Sequence, residues 1–210
     1  MTYISQIGQD RFIDEFFDKK ENGFFIDVGA NEGIHISNTY FLEKYRNWKG
    51  ICIEPLPEEF KKLNENRISI NLNICVSDFE GETEFTYVEG YANMLSGMSD
   101  KYHTQHKERI IGEVHHYGGN IHNITVPVRT LESIFDEHNI TEIDFCSIDT
   151  EGSELSIVKS INFDKTLVKV FIIENNYKET DIEEFLKTKN YVLYTKLEWD
   201  DVFINKKYIK

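Results

Sequence analysis

Apolar residues along this chain follow two alternating rhythms. Short unbroken apolar runs, the pattern of strands buried on both faces, are separated by segments in which apolar residues return every three or four positions, the pattern of amphipathic helices. Phe12, Ile13, Phe16 and Phe17 mark one helical face over about 8–18. The run 24–28 reads as a strand, followed by a helix over 37–46 with Tyr40, Phe41 and Tyr45 inward. A second short strand covers 50–54. Pro55 and Pro57 end it and open the helix that carries Phe60 and Leu63. The segment 70–76 reads as a third strand, ending at Ser77-Asp78.

The rhythm then changes. Residues 82–88 alternate like one strand of a hairpin, and a long polar stretch, 90–123, precedes the β character of Val126-Pro127-Val128. Its length and polarity make about 82–125 an inserted, lid-like segment. Leu131, Ile134, Phe135 and His138 then mark a helix, 143–148 a buried strand ending at Asp149, and Leu155, Val158 and Ile161 the next helix. Another buried strand, 168–173, ends at Glu174-Asn175. Thr180 and Glu183 are spaced as a capping box for the helix bearing Ile182, Phe185 and Leu186. Strands at 191–194 and 202–204 form a terminal antiparallel hairpin with Asp200-Asp201 at its turn. About seven strands interleaved with helices predict an α/β fold in a single domain, 1–210, built on a mostly parallel sheet. Such sheets bind ligands outside the carboxyl ends of their strands, so the strand-end residues are where chemistry should be sought.

The first strand ends in Asp27-Val28-Gly29-Ala30-Asn31-Glu32-Gly33. Without a Cβ, Gly29 and Gly33 let the backbone turn sharply and approach a ligand closely. The G-x-x-x-G spacing lacks the third close glycine of the dinucleotide fingerprint. Glu54, ending the second strand, can accept both hydroxyls of a ribose. Asp78, beside Ser77, can accept the exocyclic amine of adenine. An adenosine without a pyrophosphate fits S-adenosylmethionine better than NAD. An NAD-dependent sugar epimerase or dehydrogenase is the rival enzyme reading, and a non-catalytic cofactor-binding subunit the rival from another class.

An aliphatic hydroxyl is a poor nucleophile until its proton leaves, so the acceptor side needs a base or a metal. Asp149 and Glu174-Asn175 end neighbouring strands and should meet at one rim. Oxygen-only ligands of this kind suit Mg²⁺ or Mn²⁺. Asp149 and Glu151 are the carboxylates expected to direct the acceptor. The insertion also carries His103, His106, His115, His116 and His122. His115 is the candidate base among them, and Tyr91, Tyr102 and Tyr117 offer faces to a sugar ring.

Taken together, these motifs resemble the FkbM-type S-adenosylmethionine-dependent methyltransferases. The resemblance is carried by Ser5-Gln6-x-x-Gln9-Asp10, Phe25-Ile26-Asp27-Val28-Gly29-Ala30-Asn31-Glu32-Gly33, Ser37-Asn38-Thr39, Cys52-Ile53-Glu54-Pro55, Val76-Ser77-Asp78 and Ser147-Ile148-Asp149-Thr150-Glu151-Gly152-Ser153-Glu154, and runs from residue 3 to about 176. It implies a Rossmann-like class I methyltransferase fold, with a mostly parallel seven-stranded sheet, helices on both faces and a terminal antiparallel hairpin. It further implies O-methylation of a sugar, as a nucleotide-sugar or within a glycan, or of a polyketide hydroxyl. Gln9, Ser37 and Thr39 would then lie near the methionine end of the cofactor, with Asp27, Gly29, Ala30, Asn31, Gly33 and Asp149 around it. The positions of Asp149 and Glu174-Asn175 are similar to the magnesium site of catechol O-methyltransferase.

Charge and cysteine usage narrow the partners. A net charge of −14 repels phosphate backbones, which argues against nucleic acid and for an uncharged or cationic small-molecule or glycan acceptor. Cys52, Cys75 and Cys146 sit in apolar strand-like runs with spacing that suits neither a disulfide framework nor zinc, so free core thiols in a reducing compartment are expected. The first residues lack the features of a signal peptide, and no apolar run approaches the ~20 residues a bilayer requires. A soluble cytoplasmic protein without membrane contacts follows as the expectation, with self-association into a homo-oligomer left open.

Overall fold

The computed structural model describes residues 2–209. In chain order the elements are α1 (Gln9–Phe16), β1 (Phe24–Val28), α2 (Tyr40–Arg46), β2 (Lys49–Ile53), α3 (Pro57–Asn66), β3 (Ile70–Leu72), β4 (Cys75–Val76), β5 (Gly81–Val88), β6 (Gly97–Met98), α4 (Thr104–Tyr117), β7 (Ile121–Arg129), α5 (Leu131–His138), β8 (Glu142–Ile148), α6 (Glu154–Lys159), β9 (Leu167–Glu174), α7 (Asp181–Thr188), β10 (Tyr191–Leu197) and β11 (Asp200–Asn205). Seven strands form one sheet in the order β10-β11-β9-β8-β1-β2-β3. Only the pairs made by β11 are antiparallel, so the fold is the expected mostly parallel α/β sheet with a terminal hairpin.

Alternation along the strands explains the helices on both faces. Ile26, Val28, Cys146, Ile148, Phe171 and Phe203 point to the layer of α5, α6 and α7, where they pack with Ile134, Phe135, Ile157 and Leu186. Phe25, Phe145, Val170, Ile172, Val202 and Ile204 point the other way, onto Ile13, Phe41, Leu42 and Leu63 of α1, α2 and α3. Strands buried on both faces read as unbroken apolar runs. The chain reverses its direction of winding across the sheet between β1 and β8, and their carboxyl ends open the crevice in which such sheets hold ligands.

Four local expectations are corrected. The third strand is two: β3 closes the large sheet, and Asn73 then donates to the carbonyls of Glu54 (2.8 Å) and Pro55 (2.9 Å), turning the chain out so that β4 joins a second sheet. That second sheet, β4-β7-β5-β6, takes up the segment expected to be a lid, and the polar stretch 90–123 contains α4. Its cores are small: Phe85, Met98, Val126 and Val128 in one, and Val88, Leu95, Tyr102 and Ile110 in another. The capping box at Thr180 does not form, because Thr180 has helical backbone angles and Glu183 pairs with Lys187 at 2.6 Å. The hairpin turn is Glu198-Trp199, with Glu198 at φ 53°, and Asp200 and Asp201 lie buried within β11. The three cysteines are buried free thiols, with Cys52 pushed up to about 12 by burial. Among the described residues no helix is long and apolar enough to cross a membrane.

Candidate functional site

A cavity of about 380 Å³ lies over the carboxyl ends of β1, β2 and β8, roofed by the second sheet. That volume falls in the range of small-molecule sites. A smaller recess of about 30 Å³ continues from it past Gly29 toward Gln9, Ser37 and Asn38.

The β1–β2 wall is set by backbone geometry. Gly29 has φ +89°, and a Cβ there would lie 1.8 Å from the Asp149 carbonyl oxygen. Only glycine admits this approach of two strand ends. The Gly29 and Ala30 amides both donate to the Ile53 carbonyl at 3.0 Å. Glu54, buried at the cavity, accepts from the Asn31 amide through one oxygen and the Leu56 amide through the other, each at 2.8 Å. A carboxylate oxygen has two lone-pair sites, so each keeps one for a ligand hydroxyl. Burial raises Glu54 to about 7 despite these two amides.

Behind the glycine turn stands a buried ionic network that sequence reasoning did not anticipate. Thr39 Oγ1 donates to Asp27 at 2.5 Å. Arg67, fully buried, pairs with Glu43 at 2.9 Å and donates to the Gly33 carbonyl (3.1 Å), Ser37 Oγ (3.3 Å) and Thr39 Oγ1 (3.0 Å). A Cβ on Gly33 would meet Leu63 and Arg67 side-chain carbons at 2.6 and 2.7 Å, so this glycine makes room for the arginine. Burial raises Asp27, with the Arg67 charge opposing.

The β8–β9 wall is an acidic rim. Asp149, Glu151 and Glu174 present carboxylate oxygens within 4.8 Å of one another. Burial, then the charges of Glu151, Asp200 and Glu154, push Asp149 well above the usual carboxylate range. Burial and the charge of Asp149 raise Glu174 likewise, and one Glu174 oxygen accepts from Asn176 Nδ2 at 2.6 Å. Glu154 shapes the turn above them: its Oε1 accepts from the Thr150 amide (3.0 Å), Thr150 Oγ1 (2.9 Å) and the Gly152 amide (3.0 Å). Asp200 Oδ2 accepts from Gln9 Nε2 at 2.9 Å, and burial raises Asp200 to about 6. Asp200 Oδ1 and Asn38 Oδ1 are buried without a hydrogen-bond partner. Met94 and Trp199 stand at the mouth, 45 % and 37 % exposed, beside Asn176.

The structure gathers Gly29, Asn31, Glu54, Asp149, Glu151 and Glu174 at the larger cavity, and Gln9, Asp27, Ala30 and Ser37 at the recess. It does not bring in the others. Gly33 and Thr39 lie behind the wall, in the Arg67 network. Ser77 is buried off the cavity and Asp78 is exposed beyond it, because the chain has left the large sheet at Asn73. Asn175 is no metal ligand here: its amide nitrogen donates to the Glu179 carbonyl (2.9 Å) and Asp201 (2.8 Å), and its oxygen accepts from the Glu179 amide (2.8 Å). His115 is exposed on the last turn of α4, away from the cavity. The histidine that reaches the rim is His106. A stripe at every fourth position, Tyr102, His106, Ile110 and Val114, is the signal that could have found it.

Residues 27–193 match the family model of the methyltransferase FkbM domain. The methyltransferase sdnD of Sordaria araneosa is 23 % identical over 204 residues, covering 85 % of this chain and 77 % of that protein. Among solved structures, the METTL16 MTase domain aligns with TM-score 0.46 and 11 % identity over 92 % of this chain, which spans 64 % of that structure. A human methyltransferase 10 domain containing protein aligns with TM-score 0.45 and 12 % identity, covering 94 % of this chain and 79 % of that one. The precorrin-6y C5,15-methyltransferase of Geobacter metallireducens GS-15 aligns at 0.44 and 9 %, covering 93 % and 84 %.

Proposed function

The chain belongs to the FkbM methyltransferase family, and from that premise we propose that it transfers the methyl group of S-adenosylmethionine to a hydroxyl of an uncharged, sugar-like acceptor. The family assignment replaces the NAD-linked reading. The adenosine ribose fits Glu54, whose oxygens keep free lone pairs, and the amino-acid end fits the recess, where Asn38 Oδ1 lacks a partner. The cofactor supplies an electrophilic methyl on a sulfonium, which needs an in-line oxygen and a dry site rather than covalent help.

The observation that carries the acceptor reading is the cluster of Asp149, Glu151 and Glu174, whose carboxylate oxygens lie within 4.8 Å of one another, with Asp149 against Gly29 at the junction of cavity and recess. Asp149 orients the hydroxyl and takes its proton as the oxygen–methyl bond forms, and Glu174 shares the charge. The carbon–sulfur bond electrons leave with S-adenosylhomocysteine. An aromatic face at Trp199, an amide at Asn176 and the rim carboxylates are the contacts a polyhydroxylated ring uses. No step of this reading passes through Mg²⁺ or Mn²⁺, since the Asn175 amide is spent within its own loop.

The test is calorimetric titration with S-adenosylhomocysteine, followed by mass spectrometry of free sugars, nucleotide-sugars and glycans incubated with S-adenosylmethionine. Binding followed by a methyl ether on a neutral sugar is expected, with turnover unchanged by chelator. No binding overturns the donor assignment, and methylation of an amine overturns the hydroxyl.

A further inference from the structure

Helix α4 carries one imidazole into the acidic rim that the proposed chemistry does not use. His106 is fully buried. Its Nε2 lies 3.0 Å from the Leu95 carbonyl oxygen, which also accepts from the Tyr102 hydroxyl at 2.8 Å. A carbonyl only accepts, so Nε2 carries a hydrogen. The other ring nitrogen, Nδ1, lies 3.1 Å from Glu151 Oε2, an ion-pair distance, and both atoms are buried with no hydrogen-bond partner. A neutral ring protonated at Nε2 would set a lone pair against that carboxylate oxygen. We propose that His106 is a positioning residue, a buried imidazolium that holds Glu151 in the rim as an anion able to accept from the acceptor hydroxyl. The proposal rests on the methyltransferase reading of the cavity.

The surrounding backbone is built for this contact. Glu151 takes φ +60°, a left-handed conformation that a non-glycine residue adopts at a cost and keeps only when its surroundings enforce it. The enforcing surface is the inserted layer. A Cβ on Gly152 (φ +123°) would lie 2.8 Å from the Lys101 carbonyl oxygen, and one on Gly97 3.3 Å from that of Thr150. Lys101 Nζ donates to Ser156 Oγ at 3.1 Å, pinning the same two segments together. His106 does not line the cavity, so it acts through Glu151 and not on the substrate. Its charge also has a place: Glu151 is the third carboxylate of the rim and has the imidazole as its facing cation. The second sheet therefore completes the rim as a fixed wall.

Nuclear magnetic resonance of protein labelled with ¹⁵N at histidine reads the ring protons directly, at about pH 8, above the ordinary imidazole range. The expected result is one imidazole protonated at both nitrogens, its signal missing in His106→Gln, and singly protonated at Nε2 in Glu151→Gln. His106→Asn makes the assignment where His106→Gln does not fold. A wild-type His106 with a bare Nδ1, or one indifferent to Glu151→Gln, overturns the proposal. S-adenosylhomocysteine affinity should be unchanged in His106→Gln, whose side chain does not line the cavity, so loss of the donor assignment and loss of the imidazolium are separate results. On the sugar that the mass-spectrometric panel identifies, His106→Gln should lower kcat about tenfold or more and add nothing in a Glu151→Gln background. Additive losses, or a parallel fall in cofactor affinity, mark a structural role and overturn it.

Discussion

Around the glycine turn each buried charge has a fixed partner, whereas at the acidic rim the carboxyl groups face one another. Arg67 sits among Glu43, Thr39 and the Gly33 carbonyl, and Glu54 holds two backbone amides. Across the cavity, Asp149, Glu151 and Glu174 bring carboxylate oxygens within 4.8 Å of one another, and Asp200 leaves one oxygen unpartnered. The first wall is complete in the protein alone and serves to hold. The second crowds Asp149 and Glu174 together with His106 facing only Glu151, which is how a site keeps groups ready to react at the expense of stability.

That contrast can be broken in several places. Arg67→Leu should have the largest effect, because it strands Glu43 and Asp27 in the core. A loss of about 3–5 kcal/mol in urea denaturation is expected; a mild effect would mean that the network is not what supports the turn. Gly29→Ala forces a Cβ into the Asp149 carbonyl. It should cost about 3 kcal/mol and remove S-adenosylhomocysteine binding in calorimetry. Glu54 supplies a pH test. Its folded value of about 7 is raised, so its contribution to stability is full below the unfolded value and is lost as pH rises through 7. Ribose hydroxyls donate to the ionised form, so affinity for S-adenosylhomocysteine should grow about tenfold between about pH 6 and about pH 8. Glu54→Gln should flatten that profile. At the rim the sign reverses: Asp149→Asn relieves carboxyl crowding and should raise stability by about 1 kcal/mol while ending methyl transfer. A destabilised Asp149→Asn would remove the contrast between the walls. His115→Ala, on the exposed end of α4, should change stability by less than about 0.5 kcal/mol and leave turnover as it was.

What could be read in the sequence was whatever the chain settles locally. Asp27, Gly29, Glu54, Asp149 and Glu174 close apolar runs, and the end of a buried strand is where an acid or a glycine can face a ligand. The sheet followed from the same runs. Asp78 went astray because the side chain of Asn73 ends β3 early, a bond no spacing rule contains. Arg67 stands at the close of a helix with nothing nearby to distinguish it, and its partners lie 24–34 residues away. Asp200 looked like a turn because two acids adjoin, yet the turn falls just before it and the acid bonds Gln9 across 191 residues. The histidines show the limit most plainly. His115 and His106 are equal as residues, and only the four-residue stripe through Tyr102 and Ile110 separates the buried one from the exposed one.

The strand that carries Asp200 also bears on how the protein is made. β11 lies between β9 and β10, both of which leave the ribosome before it. Until Asp200–Asn205 has been synthesised, the apolar edge of β9 has nothing to pair with, and Val170, Ile172 and Phe171 border a gap in the sheet. Nascent chains with an open edge of this kind are substrates for chaperones and for mispairing with one another. The last strand thus works as a closure, and a ribosome stalled just short of it would display a nearly finished sheet at its stickiest.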